Sequence, residues 1–373
     1  MTSLSPSPSE GSFGSFSLRP KCLTLAVFAL LASAAAGQSL SARGTTFDAL
    51  LHPGDDRATL ILSSEGAERE QAIEKRGRTT LGLELGPGGY PASLAVAGSR
   101  WWVAGDHLTA DRRRVLFVRS GDRDLLETVV PPASEQNIQT QARLLTYEGE
   151  VRGLVWMQGP SSRRLGPWAS TWDGSGFSAP RPIGPEASGS QTGLVATALA
   201  DGRWLAVWSS YDGNDDDLLA SFWSGEAWSA PQPLTNNGVP DVRPSVVTTA
   251  EGALLAWSQW HNGRYRIVLA RIEQERKVAE TVIGGPNSGR PHLSAAANGS
   301  THVLYLEGTS QEWTLLELAP EGRIVRRASS PATEERPAVI LGSDRIVFSA
   351  AGADEATTVW TDAPKSLAWT FEQ

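Results

Sequence analysis

The 373-residue chain contains a single cysteine, Cys22, so no disulfide, thiolate metal site or cysteine-ligated iron–sulfur cluster is built from this chain alone. Its stability must come from packing. Basic residues are in deficit, 33 Lys+Arg against 41 Asp+Glu, and the formal net charge is -8. No Lys/Arg-rich block supplies the electropositive surface that a nucleic-acid backbone requires, and nucleic acid is not an expected partner. Of the five histidines, His261, His292 and His302 lack a coherent metal-ligand spacing, and no Gly-x-Ser-x-Gly elbow marks a hydrolytic serine. Helical periodicity is also scarce, because hardly any stretch repeats its apolar residues every 3.6 positions over a useful length.

Long apolar runs are confined to one place. Arg19 and Lys21 precede an apolar run from Cys22 to Ala32, which gives way to Ser33-Ala34-Ala35-Ala36-Gly37. This basic, apolar, small-residue order is that of a secretory signal peptide. The run is shorter than the roughly 20 residues a membrane-spanning helix needs. Residues 1–36 are therefore expected to be a signal peptide and residues 37–373 a single domain. The product is expected to be extracytoplasmic, periplasmic or secreted, with no integral membrane segment after cleavage.

What the rest of the chain does contain is a repeat. Two apolar runs hinged at glycine recur as Ala92 to Val96, Gly98, Trp101 to Ala104, and again around Gly149, Gly202, Gly252, Gly299 and Gly342. The hinges lie 51, 53, 50, 47 and 43 residues apart, a period typical of propellers and solenoids. Each hinged pair is followed by further short apolar segments, as in Tyr265 to Ala270 and Val278 to Ile283. Four strands in about 50 residues is the size of a propeller blade. Asp201-Gly202, Glu251-Gly252 and Asn298-Gly299 supply tight-turn chemistry, because glycine accepts positive φ. The fold expected is an all-β propeller with four antiparallel strands per blade. Trp102, Trp156, Trp208, Trp257, Tyr305 and Phe348 are expected at equivalent depth between blades, as core. Seven blades follow if residues 40–89 form a unit of their own and Thr357 to Trp360 with Leu367 to Thr370 complete the last. Six follow if the amino-terminal strands only close the last blade.

Ala169-Ser170-Thr171-Trp172-Asp173-Gly174-Ser175-Gly176-Phe177-Ser178-Ala179-Pro180 and the parallel stretch from Ala220 to Pro231 resemble the outer hairpins of sialidase-like, Asp-box propellers. Thr171 and Asp173 match the first half of the box, Ser175 stands where its glycine belongs, and Phe177 comes one place early. In the second copy Ser224 replaces the aspartate. The resemblance implies the blade architecture, with the hairpin as a folding element. In sialidases it further implies three arginines on the substrate carboxylate, a Tyr/Glu nucleophile pair, an Asp acid/base and often an Arg-Ile-Pro motif. Arg-Ile-Pro is missing here.

Three Arg-Pro pairs instead recur at one place in successive repeats: Arg243-Pro244, Arg290-Pro291 and Arg336-Pro337. Each is expected at the entry to an innermost strand, with proline as the strand's first residue, where its missing N–H is tolerated. Three guanidiniums on one rim suit a carboxylate or sulfate. The competing reading is a structural arginine paired with a carboxylate such as Asp241 or Glu335. Tyr90 and Tyr211 complete the candidate ligand-binding residues. The run Asp215-Asp216-Asp217 offers hard oxygens for Ca²⁺ but lacks EF-hand spacing, and it is read first as an acidic turn. No metal or cofactor is assigned. Two functions remain: a secreted, non-catalytic module binding a glycan or protein at one rim, or a sialidase-like glycoside hydrolase or polysaccharide lyase acting on acidic sugars.

Overall fold

The computed structural model describes side chains over residues 93–327, apart from 122–126, 130–136, 185–188, 296–298, 310–311, 321 and 326. It traces further strands by backbone pairing between residues 42 and 371. The segment expected to be a signal peptide, with Cys22, and Glu335 and Arg336, lie outside the described residues, as does the side chain of Tyr90.

Every element among the described residues is a strand or a turn. β1 (Ala42–Arg43) is followed by β2 (Thr45–His52), β3 (Asp55–Ser64), β4 (Glu70–Arg76) and β5 (Thr79–Gly86), which pair in that order. Five four-stranded sheets then follow along the chain, the last extended by a fifth strand. The first is β6 (Tyr90–Ala97), β7 (Arg100–Leu108), β8 (Arg114–Gly121) and β9 (Leu126–Val129). Next come β10 (Ile138–Tyr147), β11 (Glu150–Gly159), β12 (Gly166–Thr171) and β13 (Arg181–Pro182). The third sheet is β14 (Gln191–Ala198), β15 (Trp204–Tyr211), β16 (Asp216–Trp223) and β17 (Gln232–Pro233). The fourth is β18 (Asp241–Thr249), β19 (Gly252–His261), β20 (Arg264–Glu273) and β21 (Arg276–Val282). The fifth is β22 (Gly289–Ala295), β23 (Thr301–Glu307), β24 (Glu312–Leu318) and β25 (Ile324–Ser330). Beyond them lie β26 (Val339–Leu341), β27 (Arg345–Ala351), β28 (Ala356–Asp362) and β29 (Thr370–Phe371). All pairings are antiparallel between sequence neighbours, with two exceptions: β1 joins the outer edge of β28, and β29 joins the outer edge of β25. The carboxy-terminal strand therefore extends the sheet before the last one, where the sequence had placed it in the last.

The glycine hinge makes this architecture. Gly98 and Gly149 sit at φ of 59° and 72°, the left-handed turn that folds the second strand back on the first. The second strands are sealed on both faces because each sheet is sandwiched between two others, and β15 and β19 accordingly read as almost continuous apolar runs. Leu205, Val207, Leu218 and Ala220 of one sheet pack on Leu255, Trp257, Val268 and Ala270 of the next. Outer strands show the opposite pattern. β21 is exposed along most of its length, and β13 and β17 are two-residue stubs carrying proline, which blunts an open edge.

Trp156, Trp208, Trp257 and Tyr305 are the largest wholly buried side chains and share one depth, each following the residue paired two places after the inner-strand bulge described below. Trp102 does not join them. Ser93 pairs with Ala104, so the equivalent of Trp257 is Gly105, and Trp102 lies three residues earlier. There it packs edge-on against Trp172 of the next sheet, ring centroids 5.0 Å apart.

Candidate ligand-binding rim

All five innermost strands of these sheets are bulged near their start, β6 between Pro91 and Ser93, and four share one form of the bulge. In these four the pairing register jumps between Thr140 and Arg143, Thr192 and Val195, Val242 and Ser245, and Gly289 and His292. One residue of each bulge takes left-handed backbone: Gln141, Gly193, Arg243 and Arg290. A bulge inserts a residue and re-aims its side chain. The Arg-Pro pairs thus lie within β18 and β22, and the proline is not the strand's first residue. The displaced ladder at the bulge is what accommodates the missing proline N–H.

Arg243 is exposed and Arg290 half-buried, and neither guanidinium makes a hydrogen bond or ion pair among the described residues. Asp241, the nearest sequence candidate for pairing with Arg243, is otherwise engaged. It is fully buried and accepts from Trp257 Nε1 at 2.6 Å and Gln259 Nε2 at 3.0 Å on Oδ1, and from Asn237 Nδ2 at 2.8 Å on Oδ2. Burial outweighs these bonds and pushes its carboxyl above the usual range.

Exposed aromatics stand at the same end of the sheets. Tyr211 ends β15 at 41% exposure and Trp260 lies near the end of β19 at 37%. Each is held by its backbone N–H, to Ser190 O and Pro240 O respectively, and Trp260 meets Tyr265 edge-on at 4.9 Å. The Tyr211 hydroxyl donates to Gly213 O, and Tyr211 makes no hydrogen bond to either arginine. Tyr90 is the first residue of β6, so its backbone starts at this same end.

Below the rim, buried polar side chains pair mostly within their own sheet, and Thr140 with Asp106 across two. Gln139 Nε2 and Trp156 Nε1 both donate to Gln158 Oε1. Asp106 accepts from Arg114 and Thr140, yet burial still raises its carboxyl above the ordinary range. Glu307 accepts from Gly285 N, Thr314 and Arg327; burial opposes its ionisation, but these donors prevail and hold the carboxyl low. Nearer the centre, Arg143 and His292 occupy the same position after the bulge in β10 and β22, whose sheets are separated along the chain by two others. Burial first, and then the Arg143 charge, lower the His292 pKa to about 4, and its Nδ1 is sealed from solvent without a partner although the residue as a whole is half-buried.

The hairpins that resemble Asp-boxes lie at the opposite end of the sheets. Asp173 Oδ1 accepts from Ser175 N, Ser175 Oγ and Gly176 N, all at 2.8 Å, and the two backbone donors lead in holding its carboxyl below the usual range. Ser224 imitates it at 3.4 to 3.5 Å. Bridges Trp172–Phe177 and Trp223–Trp228 close both hairpins. A cleft of about 870 Å³ adjoins the first, lined among others by Arg100, Trp102, Arg152 and Trp172. These hairpins fix the outer strands and are remote from the rim arginines.

No protein-family model matches the chain, and no curated protein matches it in sequence. Solved structures do match. A polysaccharide lyase, Uly1, superposes with a TM-score of 0.58 at 9% identity, covering 88% of this chain and 99% of that one. An ulvan lyase of polysaccharide lyase family PL25 gives 0.58 at 10% identity, over 87% and 96%. A puromycin-hydrolysing peptidase of Mycobacterium tuberculosis gives 0.56 at 14% identity, over 89% of this chain and 53% of that one. The fold is that of a β-propeller. At such identities the likeness extends to fold alone, and a lyase and a peptidase share it. Of the resemblance to sialidase-like propellers, the propeller fold is shared with these neighbours, and the sialidase-like part has no support from a family model or a sequence match.

Of the residues singled out in the sequence, Arg243 and Arg290 fall at one strand position in adjacent blades, Tyr211 falls at the same end, and Arg336 lies outside the described residues. Trp260, Asp241 and His292 were not singled out as site residues. An exposed tryptophan at the position of Tyr211 one repeat later was the available signal for the first. Burial of Asp241 and His292 depends on neighbouring blades and leaves no local mark.

Proposed function

We propose that this protein is an exported propeller that binds an acidic glycan at the end of the blades where the innermost strands begin. The observation that carries the reading is the pair Arg243 and Arg290, presented by equivalent bulges with both guanidiniums unengaged. A planar fork of donors suits a carboxylate or sulfate, and an unpaired arginine is available for it without first breaking an ion pair. Tyr211 and Trp260 add exposed rings at the same end, apolar bodies with a polar tip on which a sugar face can lie.

The blade count belongs to this proposal: seven, with β2–β5 as a unit and β1 closing the last blade onto β28. Support comes from β26 lying against both β22 and β2, so that inner strands neighbour one another around the ring. Export, with residues 1–36 removed, is part of the same reading and rests on the sequence.

A lyase acting on acidic sugar is the second reading, favoured by the shared fold of Uly1 and the ulvan lyase. It needs a base beside the neutralised carboxylate. Burial holds the His292 pKa low, to about 4, which makes it a weak base near neutral pH and favours binding as the first reading. Crystals of the protein soaked with uronate oligosaccharides test the choice. Intact sugar with its carboxylate on Arg243 and Arg290 is the expected result; cleaved, unsaturated sugar selects the lyase, and no sugar at this end refutes both.

A further inference from the structure

We propose that Asp212, Asp215 and Asp217 bind a divalent cation, calcium by their chemistry, in the turn between β15 and β16. The sequence shows three consecutive aspartates, but alternation along β16 sends Asp216 to the other face. The fold gathers Asp212, Asp215 and Asp217 instead, each with one carboxylate oxygen within 4.8 Å of the others.

Asp212 Oδ1 accepts the N–H of Asn214 at 2.8 Å and of Asp215 at 3.2 Å, and its own N–H donates to Asp215 O, which closes the turn. Asp217 Oδ1 accepts from the Thr235 hydroxyl at 3.0 Å. Those bonds explain the turn and do not require an ion. The independent observation is Asp215. It is only 6% exposed, its Oδ1 takes one long bond from Asn214 Nδ2 at 3.3 Å, and its Oδ2 is sealed from solvent with no hydrogen-bond partner. Asp217 is 8% exposed. No Lys or Arg pairs with any of the three among the described residues.

A buried carboxylate oxygen facing two more carboxylates without a cation is costly, and proteins resolve such a cluster by pairing or by metal. Oxygen-only donors select a hard cation. Calcium accepts six to eight oxygens in irregular geometry, as a short turn offers, whereas magnesium demands a near-ideal octahedron. The proposal is independent of the glycan reading.

The test is thermal unfolding of the full chain after chelation, with calcium, magnesium or potassium added at matched ionic strength, alongside terbium luminescence sensitised by nearby aromatic residues such as Tyr211. Wild type is expected to rise by about 3 °C or more in millimolar calcium and to light terbium, with calcium competing. Asp215→Asn is expected to lose both. Should Asp215→Asn not fold, the exposed Asp212→Asn is expected to weaken calcium at least tenfold while keeping the starting Tm. An equal rise in potassium, no terbium signal, or undiminished calcium binding in the variants overturns the site.

Discussion

Arg243 and Arg290 are the left-handed residues of the same bulge in neighbouring innermost strands, at φ of 55° and 58°. An L-residue pays about 1–2 kcal/mol for such backbone, so a side chain is held there at a cost. Glycine, as at Gly193 in the preceding blade, removes that strain together with the guanidinium. Arg243→Gly is therefore expected to keep or raise the Tm while losing acidic-glycan binding. A Tm several degrees lower would show that the guanidinium has a structural partner.

Trp257 and Trp208 are buried at the same depth, but only Trp257 Nε1 has an acceptor, Asp241; Trp208 Nε1 has none. Phenylalanine at either place removes similar ring area. Trp257→Phe also deprives a buried carboxylate of a donor, so it is expected to cost about 1–3 kcal/mol more than Trp208→Phe in urea unfolding. Equal losses would contradict the role given to Asp241.

His292 titrates with opposite consequences to Asp241. Its folded pKa of about 4 lies below the ordinary 6.5, so its contribution is present above pH 6.5 and is lost as pH falls toward 4. Asp241, raised by burial, contributes fully below 3.8 and loses that contribution as pH rises through its folded value. Unfolding of wild type and His292→Gln across pH 4–7 is expected to show wild type losing stability relative to the variant on acidification. Parallel curves would refute this.

Two hinge glycines separate turn geometry from space. A Cβ at Gly98 meets nothing within 4 Å, whereas one at Gly252 would lie 2.1 Å from Ile272 O. Gly98→Ala is expected to cost about 1 kcal/mol from backbone strain alone. Gly252→Ala adds a clash with backbone and is expected to cost about 1–3 kcal/mol more, read from chemical denaturation. Equal costs would mean the two hinges are alike.

Much of the blade is written locally. Asp201-Gly202 and Asn298-Gly299 mark turns through glycine's left-handed backbone, and the buried run Trp204 to Trp208 is visible as an apolar string. Bulges are not visible, because an inserted residue leaves the composition of a strand unchanged; this is why proline is expected as the first residue of its strand and is instead the fourth in β18 and the third in β22. Trp102 looks like Trp257 in sequence, and only pairing shows it to be three residues out of register. Thr370–Phe371 finds its partner in Ala328 and Ser329, a long-range choice that no local pattern encodes. The acidic turn was visible as Asp215 to Asp217, but the recruitment of Asp212 and the exclusion of Asp216 come from the turn and the strand alternation that follow it.

Binding of an acidic sugar by the unengaged rim arginines is tested by calorimetric titration of wild type and the Arg243→Ala/Arg290→Ala variant with a uronate oligosaccharide and its carboxyl-reduced form. Each charge-assisted contact is worth about 1.5–3 kcal/mol. Wild type is expected to bind the uronate at least tenfold more tightly than the reduced sugar, and the double variant to lose that preference with its Tm unchanged. Equal affinity of wild type for both sugars, or an undiminished preference in the variant, would show that the arginines do not hold the carboxylate.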